Sequence, residues 1–142
     1  MKNKQQESRH SLRQCALQAI VSLEFGQDPL QAAQFSYLYD KEEEQGEVEI
    51  PLFLLNLVTG VADHQSDLDK ALAGKLKTGW TLERLTLIDK NIMRLGLFEI
   101  LYFEETPARV AVNEAIELAK EFSDEASAKF INGVLSQFIQ EN

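Results

Sequence analysis

The residues best suited to meet a ligand are cations gathered at the start of the chain. Lys2, Lys4, Arg9 and Arg13 stand against a single carboxylate, Glu7, within the first thirteen residues, an excess of three positive charges in a chain of net charge −9. Lys and Arg supply most of the affinity for a phosphate backbone, so this start is where a polyanion can be met, while the acidic remainder argues against broad charge-driven binding. Catalytic chemistry is poorly provided. His10 and His64 are the only histidines, and His64 with Asp67 offers at most two metal ligands, so a surface capping or hydrogen-bonding role suits His64 better. Cys15 is the only cysteine, which excludes an intrachain disulfide and a cysteine-based zinc site; its helical spacing suits a packed thiol. No phosphate-binding glycine loop, dinucleotide fingerprint or nucleophile elbow occurs. A binding protein that is not an enzyme, with no cofactor and no metal, is expected.

The elements that position these residues read as helices. At 142 residues with 44% hydrophobic side chains, the chain suits one domain over residues 1–142 that closes its core without disulfides. No apolar run approaches the roughly 20 residues needed to span a bilayer, and the polar stretch Met1 to Arg13 is unlike a signal peptide, so a cytoplasmic location is expected. A flexible basic arm over residues 1–8 leads into a helix from Ser8 to Phe25, with Leu12, Cys15, Ala16, Ala19, Ile20 and Leu23 on one face and Gly26 as its stop. Asp28-Pro29 reads as a cap and first-turn proline for a second helix through Leu38. An acidic connector over about 39–49 follows. Pro51 opens a helix with Leu52, Leu55, Val58 and Ala62 on one stripe, resuming at Leu68, Leu72 and Leu76, with a bend or break expected near His64 to Asp67.

Gly79 and Trp80 read as a turn. The stretch from Leu85 to Tyr102 is apolar around so much of its circumference that it must be the central helix, ending before Pro107. Two helices follow: Ala111 to Phe122, with Ala115, Leu118, Ala119 and Phe122 inward, and Asp124 to Ile139, capped by Ser123, with Phe130, Val134, Leu135 and Phe138 inward. Gly133 lies inside the last helix, where close packing is expected to offset glycine's cost of about 1 kcal/mol. The fold class is therefore all-α.

Three segments resemble one family. Val112-Asn113-Glu114-Ala115-Ile116-Glu117-Leu118-Ala119-Lys120, then Phe122 and Lys129-Phe130-Ile131-Asn132-Gly133-Val134-Leu135, closely resemble the most characteristic part of the NusB family. Asp89-Lys90-Asn91-Ile92-Met93-Arg94-Leu95 with Glu99, and Arg13-Gln14-Cys15-Ala16-Leu17-Gln18-Ala19, resemble it in order and spacing. The resemblance runs from about Arg9 to Phe138. It implies six to seven helices in two packed bundles, and a transcription antitermination factor that binds boxA-containing single-stranded RNA as a heterodimer with the small-subunit ribosomal protein NusE. It further implies an elongation complex with other Nus factors and RNA polymerase that reads through ribosomal RNA operons. A homodimer is also possible, since some family members cover their RNA surface that way.

Carried over by position, Arg9, His10 and Arg13 match the family's arginine-rich first helix and are expected at RNA phosphates or base edges, against the alternative of a solvated helix terminus. His10 and Ser11 stand where family members often have further arginines, and Lys2 and Lys4 are expected to compensate. Lys129 and Phe130 match a pair near the RNA site, where cation and ring serve phosphate and base; core packing competes equally for Phe130. Asp89 matches an acidic position of the NusE interface, against an ordinary helix-surface charge. Asn113 suits an N-terminal helix role and Glu114 exposure or a salt link. The alternative function is an acidic helical adaptor that holds a basic protein without specific RNA recognition. A further relation is to NusB-like domains fused to RNA methyltransferases, beside which this chain would bind rather than methylate.

Overall fold

Ser8 adopts an extended backbone and its Oγ accepts from the Ser11 amide at 3.0 Å, satisfying one of the unpaired donors that every helix start leaves. Helix α1 follows over Arg9–Leu23. The chain turns at Gly26, whose φ of 91° lies in the left-handed region that glycine enters without cost. Asp28 then caps α2, Pro29–Leu38, by accepting from the amides of Leu30 and Gln31. The computed structural model describes residues 8–39 and 49–139; the basic arm with Lys2 and Lys4, and the acidic connector over 40–48, lie outside them. Four more helices complete the fold: α3, Leu52–Ala73; α4, Leu87–Tyr102; α5, Ala108–Phe122; and α6, Glu125–Leu135. Single 3-10 turns stand at Leu82–Arg84 and Ser136–Phe138, and no strand occurs among the described residues.

Helices α1, α2 and α3 pack on one another, as do α4, α5 and α6, and α4 also packs against α1 and α3. The two three-helix groups therefore share one wall. Every residue of α4 from Asn91 to Glu99 is buried, as a helix surrounded on all sides requires. Its polar members are compensated. Asn91 donates to Glu24 at 2.7 Å and to the Leu87 carbonyl at 2.9 Å, while Arg94 grips both oxygens of Asp69 at 2.7 and 2.8 Å and reaches Glu24 at 3.1 Å.

Five expectations are corrected. Helix α3 runs unbroken through His64 to Asp67. Its buried stripe is Leu54, Leu57, Val58, Val61, Leu68 and Leu72; Ser66 and Asp67 are exposed, while His64 and Gln65, three and four residues beyond Val61, are half-buried at positions of the stripe itself, and the His64 ring stacks on Tyr102 at 3.9 Å. Leu52, expected inward, is 70% exposed, and Phe122 is also exposed. The cap of α6 is Asp124, which accepts from the Ser127 amide at 2.7 Å, rather than Ser123. Gly133 faces open space.

The close approaches lie at two other glycines. A Cβ on Gly60 would fall within the ring of Phe98, and one on Gly96 would meet Leu135 Cδ1 at 2.8 Å. Gly60 thus sets how near α3 lies to α4. Gly60→Ala is expected to destabilise the fold by about 1–3 kcal/mol through overpacking, whereas Gly133→Ala should be neutral or stabilising by up to about 1 kcal/mol. Urea unfolding of the two variants checks the contrast.

Candidate nucleic-acid interface

The first turns of α1 carry the candidate cations, and each is placed differently. Arg9 is half-exposed, its guanidinium carbon 4.2 Å from the centre of the Phe53 ring and its Nη2 3.5 Å from Glu105 Oε1. Phe53 is in turn met edge-on by Phe103 at 5.6 Å. A guanidinium lying on a ring has its face covered and leaves its N–H edges for an anion, here the carboxylate of Glu105.

His10 bridges two carboxylates of α5. Its Nδ1 is 2.9 Å from Glu114 Oε1 and its Nε2 is 2.8 Å from Glu121 Oε2, so the ring is best served when both nitrogens carry protons. Hydrogen bonding to Glu114, and then to Glu121, raises its pKa above the 6.5 of a free imidazole. Burial works against the shift without cancelling it. Gln14 donates to the other oxygen of Glu121 at 3.1 Å, extending the contact along α1.

Arg13 corrects the expectation of an exposed cation. Its Nε and Nη2 each donate at 2.8 Å to Glu99 of α4, a two-pronged pair whose side chains are 5% and 1% exposed. Its Nη1 lies 3.6 Å from Glu114. Arg13 therefore ties helices together and presents no N–H edge to solvent. Glu114 holds a salt link with His10, as one of its two expected roles required.

The remaining candidates sit around the other end of α4. Lys129 is exposed on α6, and Phe130 beside it is half-buried with its ring 5.9 Å from Trp80, between its two expected roles. Asp89 is buried rather than an ordinary surface charge. One of its oxygens accepts from Ser127 Oγ at 2.6 Å and the other, Oδ1, is buried with no hydrogen-bond partner. The structure thus brings Arg9, His10 and Arg13 together, and places Lys129, Phe130 and Asp89 elsewhere.

Phe53, Glu99, Glu114 and Glu121 complete the α1 cluster. Two signals for them stand in the sequence: Glu99 is a carboxylate inside a helix otherwise apolar on nearly all sides, and Glu114 and Glu121 are seven residues, two turns, apart on one helix face. Phe53 has no such signal.

The model of the NusB family matches residues 10–140. The chain belongs to the NusB family. Among solved structures it is similar to NusB of T. maritima, with 27% identity, a TM-score of 0.81, and coverage of 97% of this chain and 94% of that one. It is similar in fold to a chain in the crystal structure of a plectonemic RNA supercoil, at 24% identity and a TM-score of 0.78, covering 92% of each chain. It is likewise similar in fold to a chain in the crystal structure of antitermination factors NusB and NusE in complex with dsRNA, at 22% identity and a TM-score of 0.77, covering 92% and 94%. The six helices of the described residues, and the two groups meeting through α4, are thus the NusB architecture.

His10 gives this NusB family member a pH-dependent tie between α1 and α5. Its folded-state pKa lies above the unfolded value of 6.5, so the stabilisation is fully present below that value and is lost as pH rises through the folded-state pKa. The stability difference between the native chain and His10→Gln, from urea unfolding, should be greatest on the acid side of this window, while the carboxylates remain ionised, and should close on the alkaline side. A difference independent of pH would mean that the ring is held neutral.

Proposed function

We propose that this chain is a transcription antitermination factor that binds boxA-containing single-stranded RNA as a heterodimer with the ribosomal protein NusE. In an elongation complex with other Nus factors and RNA polymerase it supports read-through of ribosomal RNA operons, acting in the cytoplasm and binding rather than catalysing. The observation that carries this reading is the family match over residues 10–140, joined to a shared fold with a protein crystallised with NusE and dsRNA.

The geometry supports distinct roles. Arg9, half-exposed and propped on Phe53, meets phosphate, and Lys129 and Phe130 offer a cation and a ring edge to a strand crossing α6. Lys2 and Lys4, outside the described residues, add charge from the arm. His10 stands at the rim of this surface with its charge shared between two carboxylates, and Arg13 positions Arg9 rather than meeting RNA itself. Asp89, whose Oδ1 is unengaged, belongs to the NusE side. An acidic body attracts a basic ribosomal protein and disfavours indiscriminate RNA binding.

The adaptor reading is favoured by one observation: Arg9, His10 and Arg13 all have carboxylate partners within the chain. Binding of a boxA RNA and a scrambled control, with and without NusE, separates the two. Selective binding strengthened by NusE is expected, and Arg9→Ala should make the dependence of log affinity on log salt shallower by about 0.7, the value of one contact to a single strand. NusE binding with no preference for boxA, even in the heterodimer, would leave the adaptor.

A further inference from the structure

The cations of this chain differ in whether they are already spent on internal carboxylates. Arg9 is paired with Glu105, His10 with Glu114 and Glu121, Arg13 with Glu99, Lys90 with Glu24, and Arg94 with Asp69 and Glu24. Among the described residues, Lys70, Lys75, Lys77, Arg84, Lys120 and Lys129 have no carboxylate within ion-pair distance. Three of these six fall in the ten residues from Lys75 to Arg84, against one carboxylate, Glu83, in a chain of net charge −9. The segment between α3 and α4 is therefore a cationic island on an acidic molecule.

The same segment carries the only tryptophan of the chain, Trp80, which is 46% exposed. Its ring is held rather than loose. Gly79, with φ of 92°, turns the chain before it; Arg84 Nη1 donates to the Gly79 carbonyl at 2.8 Å, and the Arg84 guanidinium carbon lies 5.4 Å from the centre of the indole. Phe130 of α6 supports it at 5.9 Å. The segment's other end is fastened to the C-terminal end of the fold: Gln137 donates to the Lys75 carbonyl at 3.3 Å, and Lys75 Nζ stands 5.9 Å from the Phe138 ring centre.

We infer that the segment Lys75–Arg84, with Phe130 and Lys129 beside it, is a binding site for single-stranded RNA. Trp80 stacks a base, and Lys75, Lys77 and Lys129 take flanking phosphates. The inference rests on the RNA-binding reading above and gives that reading a second contact surface, joined to α6 rather than to α1. Single strands are held by this combination of unpaired cations and aromatic platforms, because every base has a π-face and every nucleotide a phosphate. An acidic protein segment would match the cations but would leave the propped indole without a flat partner.

Trp80 reports on its own site, being the only indole in the chain. The full chain is titrated at low salt with an unlabelled single-stranded boxA RNA while Trp80 emission is followed, and affinity is measured separately by anisotropy of the labelled RNA, with and without NusE. Trp80 emission should be quenched in step with binding. Lys75→Gln with Lys77→Gln should make the salt dependence of log affinity shallower by about 1.4, two contacts at about 0.7 each. Trp80→Ala should weaken binding roughly tenfold, and Trp80→Phe should restore most of it. RNA binding that leaves Trp80 emission and the lysine variants' salt dependence unchanged would overturn this site while sparing the functional reading. Equal quenching and displacement by polyglutamate would overturn it in favour of an acidic protein ligand. No binding of RNA under any of these conditions would overturn both.

Discussion

The buried pair between Arg13 and Glu99 is the constraint from which the rest of the site follows. Both charges are taken almost wholly out of water, a transfer that only good geometry can offset, and the two parallel 2.8 Å hydrogen bonds supply it. Removing either partner would strand an ion in the interior. The pair fixes the first turns of α1 across the C-terminal half of α4, which sets Arg9 over Phe53 and His10 against the carboxylates of α5. The other end of α1 is tied as firmly, through Glu24 to Lys90, Asn91 and Arg94, and Arg94 passes the tie on to Asp69 of α3. With both ends of α1 fastened to α4, the two three-helix groups cannot slide past each other without stranding buried charge.

This economy of charge also shapes how the molecule meets a polyanion. The α1 cations are each answered from within the chain, so the arginine-bearing helix of the free protein presents little unpaired positive charge. Of the unanswered cations, Lys75, Lys77 and Arg84 lie before α4 and Lys129 on α6, in the region where Trp80 and Phe130 are held by the fold. On the proposed reading, an acidic body with a few sites of exposed, preorganised cation and ring repels most of an RNA and accepts it only where those sites are matched. Selectivity then has a physical origin in the distribution of charge rather than in its sum.

Much of this architecture is legible in the residues. Asp28-Pro29 and Gly26 mark the break between α1 and α2 because an N-cap carboxylate and a left-handed glycine each do a job few other residues can do. The all-round apolar stretch of α4 announces a helix buried on every side. The burial of Arg13 is also written in its spacing: it precedes Ala16, Leu17 and Ile20 by three, four and seven residues, on the face that packs inward. What spacing does not contain is Glu99 at the right distance, a contact 86 residues away, and without it an arginine on a helix start reads as solvent-facing. The continuity of α3 was hidden for a related reason. The polar run His64 to Asp67 interrupts the inward stripe for a single turn, with His64 and Gln65 half-buried there, and the stripe resumes at Leu68, two turns from Val61 on the same face. Glycine roles follow neighbours that sequence does not name, so Gly133 proved open while Gly60 and Gly96 proved tight.

The central claim is that Arg13 builds the RNA-facing surface without touching RNA. It is tested most directly by replacing both members of the pair with an apolar residue of similar length, Arg13→Met with Glu99→Met, and comparing fold stability and boxA RNA affinity with those of Arg13→Met alone. The single variant, which leaves Glu99 buried and unpaired, should lose about 3–5 kcal/mol of stability, and the double variant should recover most of it. RNA affinity of the double variant should stay within about twofold of the native chain, because no phosphate contact and hence no counterion release has been removed. A double variant that folds with native stability yet loses RNA affinity and a phosphate's share of the salt dependence would contradict the account and return Arg13 to the binding surface.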